Sequence, residues 1–189
     1  MKNYWLKPVC TEISVIHKRF STTDSATRKI IFVAFLAAVS AIFQSMGGLL
    51  PGIGFLMSPL ATAPIMLSTV LSLGSGLTAY LLTMLLLFFI QPSELIVFPF
   101  TTGLLALGVG GSLLYSKSRL AVVMIGSIFL WAGIMLLLYV FRFPVMGPAV
   151  SSTFNLSAIV IVYVFSLLYS WLWAEISRWF IQKISKSMT

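Results

Sequence analysis

Between Lys29 and Glu94 the chain runs 64 residues without one Asp, Glu, Lys, Arg or His. About 20 apolar residues cover the roughly 30 Å hydrocarbon core of a bilayer, and a charge-free stretch of about 18 is enough for one crossing. A run this long holds two or three crossings, and the Gly and Pro residues near 47–54 and 73–76 divide it into three. The charge-free runs 95–116, 120–141 and 143–174 are each long enough to cross as well. The expectation is an all-α polytopic integral membrane protein with six transmembrane helices, at about 30–46, 59–73, 76–91, 96–115, 120–141 and 154–174. A transmembrane β-barrel would alternate apolar and polar residues at period two, whereas these runs are continuously apolar.

Composition agrees. Hydrophobic residues make up 59 % of the chain and charged residues 8 %, against about 45–50 % and 25 % in a typical soluble domain. The net charge of +8 raises nucleic acid as a partner, but the placement of the charges argues for a membrane instead. Lys2, Lys7, Lys18, Arg19, Arg28 and Lys29 precede the first span, Lys117 and Arg119 lie between spans four and five, and Arg178, Lys183 and Lys186 follow the last. With six spans and both termini cytoplasmic, these eleven share the inner side and only Arg142 is outside, which is the positive-inside pattern. One domain is expected: a cytoplasmic or interfacial tail over 1–29, a six-helix membrane domain over 30–175 and a basic cytoplasmic tail over 176–189, multi-pass in the plasma membrane. Nucleic acid is not an expected partner.

In the leading tail, Leu6, Val9, Ile13, Ile16 and Phe20 recur at three- and four-residue steps, which puts one apolar stripe on a helix. Such a helix, starting after Pro8, suits the membrane interface; a loosely ordered tail is the alternative. Asp24 or Ser25 can cap the first span. Val39-Ser40-Ala41 has the small residues of a leader cleavage site, but the apolar run continues past it and the 29 residues before the run exceed the usual basic leader, so cleavage is not expected. Trp171, Trp173 and Trp179 form an aromatic belt at the inner interface.

Catalysis finds little support. The lone Cys10 and lone His17 leave no disulfide within the chain and no metal-ligand spacing. Gly108-Val109-Gly110-Gly111 lies inside an apolar span, where close helix packing explains it. General acid–base work needs titratable groups placed together, and these are few and scattered. No enzyme, metal or cofactor is expected; an intramembrane enzyme using Glu94 is the outlying alternative.

Polar residues at the outer ends of the spans are more informative. Glu94 is the only acid between residues 25 and 174, Arg142 the only outer base, and Gln44, Gln91 and Asn155 fall near the same level. Ionisable groups at membrane depth are costly and usually face a cavity or partner, and small-molecule pockets combine a few polar groups with aromatics such as Phe98, Phe100, Tyr139, Phe141, Phe143 and Phe154. Glu94, Arg142, Asn155, Gln91, Tyr139 and Phe143 are the candidate ligand contacts. The other reading leaves Glu94 and Arg142 in wet loops, paired with each other. One acid and one base leave the charge of a ligand open.

Span one carries a ladder of small residues, Ala34, Ala37, Ala38 and Ala41. Small residues at four-residue spacing let two helices approach closely in lipid, and on spacing alone packing within the chain's own bundle is the favoured account over a partner. Thr27-Arg28-Lys29-Ile30 running into Ile31-Phe32-Val33-Ala34-Phe35-Leu36-Ala37-Ala38-Val39-Ser40-Ala41 resembles the first helix of the substrate-binding (S) components of energy-coupling-factor vitamin transporters. Gly47 to Gly54, then Ser58-Pro59-Leu60-Ala61-Thr62-Ala63-Pro64-Ile65, is similar to that family's apolar first loop and proline-containing second helix, and Leu73-Gly74-Ser75-Gly76 fits the short connection that follows. The resemblance covers residues 27–91 by pattern and the rest by topology.

It implies a membrane-embedded subunit that captures a vitamin or vitamin-precursor-like molecule at the outer face for uptake. Ala34, Ala37, Ala38 and Ala41 would dock on a transmembrane coupling subunit, with ATPase subunits supplying the energy. Gly47, Gly48, Pro51, Gly52 and Gly54 would belong to a loop gating the pocket. The alternative function is a small multi-span structural or assembly protein of a membrane complex, with no small-molecule ligand.

Overall fold

The computed structural model describes Trp5 and residues 25–50, 52–116, 118–143 and 156–187. The apolar stripe of the leading tail, Pro51, Lys117, the connection 144–153, Phe154 and Asn155 lie outside the described residues.

The protein is an all-α polytopic membrane protein, with no β-strand among the described residues. The helices are α1 (Ala26–Leu49), α2 (Ile53–Met57), α3 (Thr62–Leu71), α4 (Leu73–Ile90), α5 (Glu94–Val97), α6 (Thr102–Tyr115), α7 (Arg119–Tyr139) and α8 (Leu156–Ser187), with 3₁₀ turns at Ser58–Ala61 and Phe98–Phe100. Five segments are long and apolar enough to cross a membrane, and Ser58–Leu71 is a shorter apolar sixth. Side-chain contacts show that this short piece runs from one end of the bundle to the other. Ser58 lies beside Gly47 near the end of α1, whereas Met66 accepts a hydrogen bond at 2.7 Å from Ser177 on the far part of α8.

Local chemistry sets the breaks. Ser25 caps α1 by accepting from the Arg28 N–H at 3.4 Å. The expected Gly74-Ser75 connection is shorter than the sequence suggests: both residues belong to α4, and the chain turns on Ser72 alone. Ser72 is extended (φ −164°, ψ 151°) and accepts from the Ser75 N–H at 3.0 Å, so one serine ends α3 and caps α4. Pro99 interrupts the fourth crossing, in the 3₁₀ turn Phe98–Phe100. The Thr101 hydroxyl donates to the Val97 carbonyl at 2.8 Å, re-satisfying backbone at the break.

Two expectations are corrected at the ends of helices. Gly47 and Gly48 continue α1 and Gly54 lies in α2, so only 50–52 separate the helices, Gly52 taking φ 80°. The last helix runs past the expected span limit near residue 174 to Ser187. No Gly or Pro interrupts 156–187, and the buried residues Trp173, Ala174, Ser177 and Ile181 recur at helical spacing. Trp173 thus belongs to the core rather than to an interfacial belt, while Trp171 and Trp179 remain exposed.

The crossing from Glu94 to Tyr115 forms the centre, with 61 % of its most apolar window buried, against 22 % for α4 and α8. Its glycines admit neighbours that a Cβ would exclude. A methyl on Gly103 would sit 2.7 Å from the Tyr80 ring, one on Gly108 3.0 Å from Phe129, and one on Gly110 2.6 Å from Thr69. Gly111 meets nothing within 4 Å, so it takes no part in the packing expected of the Gly108–Gly111 group. Exposed rows such as Leu77, Leu81, Leu85 and Phe88 on α4 suit lipid contact.

Candidate functional site: a polar chain on a central cavity

Gln44 is on α1, two turns past Ala37, and is fully buried although polar. A buried primary amide must satisfy both ends, and it does so across the bundle. Its Nε2 donates to Glu94 Oε2 at 2.7 Å, and its Oε1 accepts from Thr102 Oγ1 at 2.8 Å. The bonds reach α5 and the first residue of α6, either side of the proline break, so the kinked crossing is tied to α1 at two points. Glycine makes the first contact possible. A methyl on Gly47 would lie 3.1 Å from Glu94 Oε1 and 3.3 Å from Ser58 Oγ, so carboxylate and serine settle together over bare backbone.

This chain of polar groups borders a cavity of about 250 Å³. Gln44, Ser58, Pro59, Val97, Thr101, Thr102, Leu130, Ile134, Phe165 and Tyr169 line it, drawing on α1, the first 3₁₀ turn, α5, α6, α7 and α8. Phe165 and Tyr169, one turn apart on α8, present rings stacked at 5.6 Å and 19°. The volume is just under the roughly 300–1,000 Å³ of drug-sized pockets, and mostly apolar walls with a few convergent polar groups are the usual make-up of such sites.

The sequence candidates separate. Glu94 does not line the cavity itself; it stands behind the lining Gln44, bonded to its amide at 2.7 Å. Gln91 is one step removed: its Nε2 donates to Ser93 Oγ at 3.0 Å, and its side chain lies over Gly48. Arg142 is exposed and adopts φ 52°, uncommon for a residue with a Cβ. That conformation closes the C-terminus of α7, so that the Phe143 N–H reaches the Leu137 carbonyl at 2.9 Å. Among the described residues both ion pairs fall on Glu175, and Glu94 and Arg142 do not pair. Tyr139 packs on the core and Phe143 is half-buried, neither lining the cavity; Asn155 lies outside the described residues.

Of the alanine ladder, Ala37 and Ala41 are fully buried. The Ala37 carbonyl accepts from Thr83 Oγ1 of α4 at 3.2 Å, and Ser40 Oγ donates to the Ala61 carbonyl at 3.0 Å. That half of the ladder packs inside the bundle. Ala34 and Ala38 are half-exposed, and Ala38 shares a helical row with the exposed Ile31, Phe35 and Ile42.

Sequence reasoning missed Ser58, Thr101, Thr102, Phe165 and Tyr169. The one available signal was the Thr101-Thr102 pair directly after a proline-broken stretch. At the opposite end of the bundle it also missed Glu175, which pairs with Arg119 at 3.3 Å and Arg178 at 3.4 Å. Comparison with protein-family models, curated proteins and solved structures finds no match to this chain.

Proposed function

We propose that this protein is a membrane-embedded substrate-binding subunit, one that captures a small molecule of vitamin or vitamin-precursor size from the outer face of the plasma membrane for uptake. The observation that carries the reading is the cavity of about 250 Å³ bounded by Gln44, Thr102, Phe165 and Tyr169. A few polar side chains set among apolar and aromatic walls between helices is the usual make-up of a small-molecule site in a bundle. The basic residues at the two chain ends orient the Glu94 end outward, so the cavity belongs to the outer half.

The resemblance of residues 27–91 to vitamin-transporter S components supplies the partners: a transmembrane coupling subunit and ATPase subunits. Ala34 and Ala38, with the exposed row beside them, are the part of the ladder free to meet the coupling subunit. Gly52 and α2, which leads into the lining Ser58, are the proposed gate. Solvent extraction of the purified full chain, followed by mass spectrometry against a mock preparation, tests the reading. One small molecule enriched in near-stoichiometric amount is expected; a larger membrane complex co-purifying with no small molecule would favour the assembly-protein alternative instead.

A further inference from the structure

The sequence leaves the charge of the ligand open, and the arrangement of the cavity narrows it. We infer that the cavity selects a small organic cation, a protonated amine carried on an apolar or aromatic body, and that Glu94 is the residue that selects its charge. This rests on the capture reading above and deepens it.

The residues lining the cavity are all neutral, so any charge must come from the wall behind them. Glu94 is there, bonded at 2.7 Å to the lining amide of Gln44 and packed over Gly47 beside the lining Ser58. Among the described residues no cation pairs with it. Arg142 is exposed and not paired with Glu94, and residues 144–155 contain no Lys, Arg or His. An acid held at membrane depth without a counter-ion attracts cations and repels anions more strongly than it would in water.

A second wall has matching chemistry. Phe165 and Tyr169 stack at 5.6 Å and line the same void, and aromatic faces attract ammonium groups within about 6 Å of the ring centroid. Leu130, Ile134, Val97 and Pro59 complete an apolar lining suited to the body of such a molecule rather than to a second charged group.

Three probes of one skeleton test the inference: phenethylamine, 2-phenylethanol and phenylacetate. Each is titrated against the purified full-length chain in detergent, with thermal unfolding as the readout. The amine should protect most and phenylacetate least. In Glu94→Gln, which keeps an acceptor for Gln44, amine affinity should fall about tenfold or more, as for removal of one charge acting through the intervening Gln44 amide in a low-dielectric setting, with the alcohol unchanged. Phe165→Leu, at a position open to lipid, should narrow the gap between amine and alcohol without touching the polar chain. Alcohol or carboxylate protecting as well as the amine, or Glu94→Gln keeping the full amine preference, overturns cation selection and leaves the capture reading standing. No protection of the unaltered chain by any of the three overturns both.

Discussion

Gln44 and Glu94 are 50 residues apart in the chain, and their side chains meet at 2.7 Å. Through the same amide Gln44 also holds Thr102, so one buried residue sets the position of the broken fourth crossing against the first. Replacing it with leucine strands both partners. Each buried polar group left unsatisfied costs about 1–3 kcal/mol, so Gln44→Leu should destabilise the protein by about 2–4 kcal/mol. Thermal melting in detergent measures this; an unchanged midpoint would mean that the polar chain contributes nothing to the fold.

Glycines in the centre of the bundle should split into two groups. A methyl on Gly133 of α7 would run into the Phe100 carbonyl, whereas one on Gly111 meets nothing within 4 Å. Gly133→Ala should cost about 1–3 kcal/mol or more, the range for overpacking. Gly111→Ala should be neutral or stabilise by up to about 1 kcal/mol through helix propensity. Paired melting curves of the two variants give the contrast directly.

The end of the bundle away from Glu94 depends on Glu175. Arg119 is 8 % exposed and Glu175 29 %, so the pair is partly shielded. Breaking a fully buried pair costs about 3–5 kcal/mol. With one partner reaching water, Glu175→Gln should cost about 2 kcal/mol, and the loss should shrink in an Arg119→Met background. Equal losses in both backgrounds would show that the ion pair carries no coupling.

Membrane class, five of the six expected crossings and most of their limits were legible in the sequence, because charge-free length and Gly/Pro punctuation act locally; the second, Ser58–Leu71, is a shorter apolar piece. Two helix ends were not. Gly47-Gly48 reads as a loop in water, yet in lipid the backbone gains more by staying hydrogen-bonded, and α1 runs on to Leu49. The site was half-legible. Glu94 and Gln44 stand out as polar residues in apolar runs, but Thr102, Phe165 and Tyr169 are ordinary residues of membrane helices until the fold brings them to one void. Arg142 misled for the opposite reason: a lone outer charge draws notice, while its role in the structure is to close the end of α7.

The alanine ladder should divide under substitution. Ala41→Leu forces a larger side chain into a fully buried position and should cost about 1–3 kcal/mol. Ala38→Trp, on the half-exposed row, should leave melting and ligand binding intact while abolishing uptake in cells that contain the coupling and ATPase partners. Normal uptake by Ala38→Trp would remove the docking role.

Capture of one small molecule in the central cavity is tested most directly by native mass spectrometry of the intact chain released from detergent. Wild-type protein should carry a single adduct of small-molecule mass per chain. Val97→Trp, which places an indole in the void lined by Val97, should lose the adduct while keeping its helical circular dichroism. Bare mass in both proteins, or the same adduct in both, would contradict the account.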